Sequence, residues 1–248
     1  MRSYEQLVAE ALEARFEGWD FDWLRGRAHQ TEPSWSYDER ARELLPGARC
    51  MLDLCTGGGE LLAGFAPLPE HSVATEDWEP NIPLARARLE PLGVEVRVPD
   101  GDGIPAGDAE FDLVLNHHGG AGSAEIARVL RPGGTYLMQG VGASNLDDLN
   151  QLLGAPSGAY SEDSTLDAVS ESLRAAGLSI VDGQEEKPEH AIHDIGALVY
   201  FLKAVSWQVP DFDVTRYDAK LRDLDAAIRA NGPVVFHDHR YLIEVRKP

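Results

Sequence analysis

MLDLCTGGGELL, residues 51–62, decides the architecture of this 248-residue chain. An apolar run carrying Asp53 leads through Thr56 into Gly57, Gly58 and Gly59, and a helical pattern begins at Glu60. Glycines let a backbone adopt positive φ and approach a ligand closely, and the amino terminus of a following helix offers unpaired N–H groups to an anion. Asp53, at the strand end, suits an acceptor for an ammonium group or an ordered water. A dinucleotide fingerprint would carry a third glycine or alanine where this sequence has Leu62. The acid before the glycines and the leucine after them favour recognition of a methionine and a ribose over a pyrophosphate.

Outward from this stretch, short apolar runs alternate with helical segments: ELLAGFA, SVATE, IPLARARLEPL, VEVRVP, FDLVLN, SAEIARVL and TYLMQGVG. Such alternation predicts a parallel sheet with helices on both faces and ligands at the carboxyl ends of the strands. Residues 157–177 read as a further helix ending at Gly177, and LSIVDGQ reads as a strand. DIGALVYFLKAV follows as an inserted helix, a lid or substrate wall. A helix from Tyr217 to Asn231 and the strand RYLIEVRK close the chain, the latter pairing antiparallel with LSIVDGQ. Ahead of the core, residues 3–16 form an amphipathic helix closed by Gly18. The aromatic stretch holding Trp19, Phe21, Trp23, Trp35 and Tyr37 then reads as a folded-over cap.

Further carboxylates stand at informative distances. Glu76 ends the strand SVATE, where a carboxylate takes both hydroxyls of a ribose, with Asp77 as the fallback. Asp100, followed by Gly101 just after the third strand, suits an adenine amino group, and Trp78 suits stacking on the adenine. For each, a solvated loop side chain is the plain alternative; order and spacing favour the ligand.

The ordered set DLCTGGGE, ATEDWEPN, DGDGIP, FDLVLN and VLRPGGTYLM resembles the class I S-adenosylmethionine-dependent methyltransferase family over residues 51–142. The resemblance implies a Rossmann-like α/β fold, its sheet seven-stranded and mostly parallel with an antiparallel carboxyl-terminal hairpin. It implies S-adenosyl-L-methionine as cofactor and S-adenosyl-L-homocysteine as product. It also puts Asp53, Thr56, Gly57, Gly58 and Gly59 in the cofactor loop, Glu76 on the ribose, Asp100 on the adenine and Asn116 at the strand end beside the cofactor.

The loop after the fourth strand, NHHGG at residues 116–120, faces the transferable methyl in that family. Methyl transfer is an in-line displacement, so the enzyme aligns the nucleophile and removes its proton, work that suits histidine. His117 and His118 are therefore the candidate bases. In the branch of small bacterial enzymes that this chain resembles, the loop reads more like Asn-Arg-His-Glu. His118 then matches, and His117 and Gly119 depart. Trp35 and Tyr37 are candidate walls for a planar or apolar acceptor, and by the same analogy His193 and Asp194 are candidate substrate contacts. His190 and His193, and His237 and His239, have spacings that permit metal ligation, but no cysteine or acid pattern completes a site, so no metal is expected.

Composition bounds the rest. Lys+Arg 22 against Asp+Glu 42 gives a formal charge of −20, which provides no general attraction to a nucleic-acid backbone. No apolar run is long enough to span a bilayer, no signal peptide precedes the first helix, and two cysteines make no disulfide framework, so a cytoplasmic protein is expected. One domain is read, with a cap at 1–45, a cofactor core at 46–145 and substrate-side elements at 146–248. The acceptor is expected to be a small molecule. The rivals are an RNA base methyltransferase, a noncatalytic cofactor-binding protein and a nicotinamide oxidoreductase; oligomeric state is not readable.

Overall fold

The computed structural model describes residues 2–16, 19–101, 103–158 and 160–248; Gly18, the expected terminator of the first helix, lies outside them. The strands are β1 (Ala28–Gln30), β2 (Cys50–Leu54), β3 (His71–Thr75), β4 (Val94–Arg97), β5 (Phe111–His117), β6 (Leu130–Val141), β7 (Ser179–Glu186), β8 (Glu189–Ile192), β9 (Val234–His237) and β10 (Arg240–Arg246). The α-helices are α1 (Tyr4–Glu13), α2 (Tyr37–Leu44), α3 (Glu60–Ala63), α4 (Ile82–Leu89), α5 (Ser123–Val129), α6 (Asp147–Leu153), α7 (Leu166–Ala175), α8 (Ile195–Ala204) and α9 (Val214–Asn231).

The main sheet has seven strands in the order β4-β3-β2-β5-β6-β10-β7. Strands β2 to β6 run parallel to one another, and β10 runs antiparallel to both β6 and β7. Both faces are covered, as parallel strands rich in Leu and Val require. Met51, Leu113, Leu115 and Leu137 pack with Ala41 of α2 and with Ala85 and Leu89 of α4. On the other face Leu52, Val73, Val114 and Ile243 pack with Ile126 and Val129 of α5 and with Leu173 of α7.

Strand side chains alternate between faces, which fixes the chemistry of the carboxyl edge. Asp53 follows Met51 and His117 follows Leu115 onto the α2 face; Gln139 follows Leu137, and Arg240 precedes Leu242, onto the same face.

A third apolar cluster joins α1, α6, α8 and α9. The inserted helix expected as a lid or wall is its centre: Ile195 through Leu202 of α8 are all buried, and Lys203 Nζ donates to the carbonyls of Ala11 and Leu12 at the end of α1. A small antiparallel sheet, β1-β8-β9, flanks this cluster. Its strands are only three or four residues long, too short to show a period in sequence. The helix read over residues 157–177 begins at Leu166 instead, because Thr165 takes the extended cap conformation and its hydroxyl accepts the N–H of Ala168.

Candidate functional site

The loop after β2 turns at Gly57 (φ 64°) and Gly59 (φ 79°), conformations that L side chains rarely adopt. The α3 helix beyond it is a single turn, Glu60–Ala63. The loop's own backbone, rather than a long helix dipole, therefore provides the donors. Glu76 fastens this loop from the end of β3. Its Oε2 accepts the N–H of Gly57 at 2.6 Å, and its Oε1 accepts that of Trp78 at 2.8 Å. Burial raises its pKa above the usual carboxylate range despite those two bonds. The indole of Trp19, from the cap, lies directly against the Cα of Gly57 and makes an edge-on contact with Trp207.

Polar groups with unused bonding capacity converge beside that loop. Burial pushes the Asp53 carboxyl up to about 7, and Glu76 adds to the rise. Next to it the Tyr37 hydroxyl, on a residue only 4% exposed, meets no partner among the described residues. The Thr56 hydroxyl is buried against Asp53, whose pKa it lowers in part, and meets no other partner among the described residues. Buried polar atoms are almost always satisfied, so orphans at a glycine loop mark where a ligand's polar atoms belong. An amino-acid ammonium fits: it provides donors to Asp53 and compensates the carboxylate that burial destabilises. The residues present thus fit the methionine end of S-adenosylmethionine.

At the end of β5, His117 and His118 stack with ring centroids 4.1 Å apart, and Tyr37 packs on His117 at 4.9 Å. His118 has φ 65°, in the left-handed region, and its N–H donates to the Gln139 carbonyl. The Gln139 side chain orients both rings. Its Oε1 accepts the Trp35 indole N–H at 2.7 Å, which fixes its amide NH2 toward the histidines. That group lies 3.1 Å from His117 Nε2 and 3.4 Å from His118 Nε2. Both imidazoles must therefore carry their proton on Nδ1, with each Nε2 lone pair accepting from that amide. Desolvation, then the charge of Arg240, lowers His117 to about 4. His118 keeps accessible surface, but protein crowds its ring; desolvation, its neighbour His117 and Arg240 hold it well below the ordinary histidine value.

The remaining candidates fall into two groups. Asp77, Trp78 and Asp100 are exposed along the edge beyond β3 and β4, and Gly101 has open space around its Cα. Asn116, fully buried, donates from Nδ2 to the Tyr136 hydroxyl and accepts the Gly119 N–H, so its amide shapes the histidine turn. Asp194 is put to another use: it caps α8 and takes a bidentate pair from Arg27 at 2.6 and 2.8 Å. Exposed His193 hydrogen-bonds through its backbone to Arg27. His237 pairs with Asp148, His239 with Glu185, and His190 faces Asp238. Among the described residues no group of three or more His, Cys, Asp or Glu is placed to hold a metal ion. Gln139 and Arg240 escaped sequence reasoning; a lone glutamine in an apolar strand was the one available signal for the first. A concavity of about 550 Å3, lined by Arg49, Cys50, Glu70, His71, Asp112 and Arg131, lies at the opposite edge of the sheet, away from this chemistry.

Residues 51–134 match the family model described as a methyltransferase domain, the same stretch that supplies the loop, Glu76 and the histidine pair. That stretch is a methyltransferase domain. No curated protein matches the sequence. Solved structures share the methyltransferase fold at low identity. A candidate methyltransferase from Bacillus halodurans C-125 is 19% identical with a TM-score of 0.59, over 85% of this chain and 98% of that one. The candidate methyltransferase in complex with the Trm112 activator from Haloferax volcanii is 21% identical with a TM-score of 0.53, over 100% and 99%. The [4+2]-cyclase SpnF is 17% identical with a TM-score of 0.51, over 98% and 93%. Among the described residues of this methyltransferase no helix is long and apolar enough to cross a membrane.

Proposed function

We propose that this enzyme transfers the methyl group of S-adenosylmethionine to an oxygen, nitrogen or carbon atom of a small-molecule acceptor, with residues 1–248 working as one domain. The observation that carries this reading is the convergence of Asp53, His117 and Gln139 on one face at the carboxyl edge, beside Trp35 and Tyr37. Bound S-adenosylmethionine supplies an electrophilic methyl on a sulfonium, and the protein's task is alignment and charge.

In this reading Asp53 and the Tyr37 hydroxyl take the ammonium end, and the loop from Thr56 through Gly58 to Gly59 lies along the methionine. Glu76, with Asp77 beside it, takes the ribose; Trp78, Asp100 and Gly101 border the adenine. Trp35 and Tyr37 wall the acceptor. Gln139 donates to Nε2 of both imidazoles and holds them neutral, and the more accessible His118, on the longer of the two contacts, exchanges that amide for the acceptor's proton. Asn116 acts through the turn it stabilises.

An RNA acceptor would call for a basic groove, whereas the chain carries a net charge of −20. The fold alone does not name a reaction, since a structure of this fold bears the name of a cyclase. The test is calorimetric titration with S-adenosylmethionine, S-adenosylhomocysteine and NADH, followed by measurement of S-adenosylhomocysteine formed with small acceptors and with RNA. Binding of the first two and turnover of small acceptors supports the reading. Turnover of RNA alone, or binding without turnover of any acceptor, sinks it.

A further inference from the structure

β4 is an edge strand: the main sheet pairs it with β3 on one side and ends there. Its register decides which of its backbone groups are used. The Glu76 N–H donates to the Arg97 carbonyl, so Glu95 and Arg97 turn their main-chain groups toward β3, and Val94 and Val96 turn theirs outward. Val98 follows at the same parity as Val94 and Val96. Among the described residues no backbone group outside the strand meets any of the three. Side chains alternate as well. Val94 and Val96 are buried with Ala85 and Leu89 on one face, and Glu95 and Arg97 stand on the other, Glu95 with 60% of its side chain exposed. Leu92 and Val98, beyond the two ends, are 43% and 40% exposed. An open edge normally carries something that stops another strand from adding to it. The opposite edge of the sheet, β7, has Asp182, Glu185 and Glu186 and no Lys or Arg, so a second copy would meet like charges there. β4 has no such guard.

We propose that this edge is a homodimer interface: a second copy of the chain adds antiparallel to β4 across a two-fold axis at Val96, joining the two main sheets into one. The strand is self-complementary about that point. With Val96 opposite its own copy, Glu95 stands opposite Arg97 of the partner subunit, and Val94 stands opposite Val98 of the partner subunit. The outward N–H and C=O groups of Val94 and Val96 then face groups that bond them, and the charged pairs fall at the narrow positions where cross-strand side chains come closest. Within one chain Arg97 donates to one Glu95 oxygen at 2.9 Å, and the exposed carboxylate has a second oxygen to offer. The dimer completes an alternating square of four charges. Each Val98 also reaches the Leu92 end of the other copy, where both lose water. Other registers are worse. A slip of one residue turns outward groups against inward ones, and a slip of two sets Glu95 against Glu95 or Arg97 against Arg97. A four-residue strand buries little area, so a weak dimer is expected, with a dissociation constant of about 1–100 μM.

Sedimentation velocity on the full chain, across that concentration range, tests this. The salt is held at about 0.15 M, where screening over about 8 Å limits repulsion between two chains of formal charge −20. The unmodified protein should associate reversibly to a dimer. Glu95→Arg turns both attractive pairs into repulsive ones and should weaken the dimer at least about tenfold. Arg97→Glu should do the same, and an equimolar mixture of the two variants, which restores opposite charges at both positions, should dimerise again. Melting temperatures report whether each variant is folded. A second readout needs no variant: in amide hydrogen exchange followed by NMR, Val94 and Val96 should gain protection as the protein concentration rises, whereas Glu95 and Arg97, bonded to β3, stay protected throughout. A monomer over the whole range, a dimer whose Val94 and Val96 amides exchange freely, or a folded Glu95→Arg variant that associates as the unmodified protein does would overturn the proposal.

Discussion

The indole of Trp19 rests on the Cα of Gly57, so the first turn of the cofactor loop and the amino-terminal cap touch with no side chain between them. A methyl group at position 57 would occupy space that the indole fills, at a backbone φ of 64°. Gly57→Ala should therefore cost about 1 kcal/mol from the left-handed conformation alone and displace Trp19 in addition. Expected are a lower melting temperature, a shifted tryptophan emission and a S-adenosylhomocysteine affinity reduced by about tenfold or more. Unchanged emission would show that Trp19 does not sit on the loop in solution.

Asp53 has a folded pKa near 7, above its ordinary 3.8, because burial penalises its charge. Between those values the native state holds a proton that the unfolded state has released, so this group's contribution to stability falls as pH rises through that window. Asp53→Asn should stabilise the unliganded protein at pH 8, by on the order of 4 kcal/mol at most, and change little at pH 4. The same variant should bind S-adenosylmethionine much more weakly. In the unmodified protein, affinity should climb with pH toward 8 and proton release should accompany binding at pH 6, as read by calorimetry in buffers of different ionisation enthalpy.

His117 shows the opposite sign. Its folded pKa of about 4 lies below the ordinary 6.5, so the unfolded state binds the extra proton, and stability is lost as pH falls from about 6.5 to about 4. His118, also lowered, adds to the loss. Urea unfolding across that range should show the slope, and His117→Phe, which keeps a ring against Tyr37, should flatten it. An unaltered slope would place the acid sensitivity elsewhere.

Glu76 anchors Gly57 and Trp78 through separate oxygens. Glu76→Ala removes both anchors and any ribose contact, and a loss of about 1–3 kcal/mol in S-adenosylmethionine binding is expected. Glu76→Gln retains one acceptor oxygen and should recover part of it. Cofactor affinity of Glu76→Ala within about threefold of the unmodified protein would remove Glu76 from the ribose site, since that change is well under 1 kcal/mol.

Asp194 separates a structural role from a substrate role. Its bidentate pair with Arg27 and its cap on α8 predict that Asp194→Ala destabilises the protein by about 2 kcal/mol or more, through a lost cap and an unpaired, largely buried guanidinium. Once a substrate is in hand, KM should stay unchanged in the folded variant; a large rise in KM without loss of stability would return Asp194 to the acceptor site.

How much of this was legible beforehand depended on how local the cause was. The chain from Met51 to Gly59 determined a strand, a turn and a ligand loop by itself, because alternation, an acid at a strand end and residues tolerant of positive φ act within a few positions. The parallel sheet and the antiparallel pairing of RYLIEVRK with LSIVDGQ followed in the same way, from successive apolar runs and the connections between them. Tertiary structure decided what a side chain meets across the sheet. Gln139 orients His117 and His118 only because β5 and β6 stand in register, and Arg240 joins them only because β10 inserts beside β6, about a hundred residues further along the chain. The helix at 195–204 read as a cover since its apolar residues were visible and its partners were not; α1 and α9 bury it from both sides. Asp194 and Asn116 were ambiguous for the same reason. A polar side chain in sequence is only a capacity for hydrogen bonds, and folding assigned theirs to Arg27, Tyr136 and Gly119.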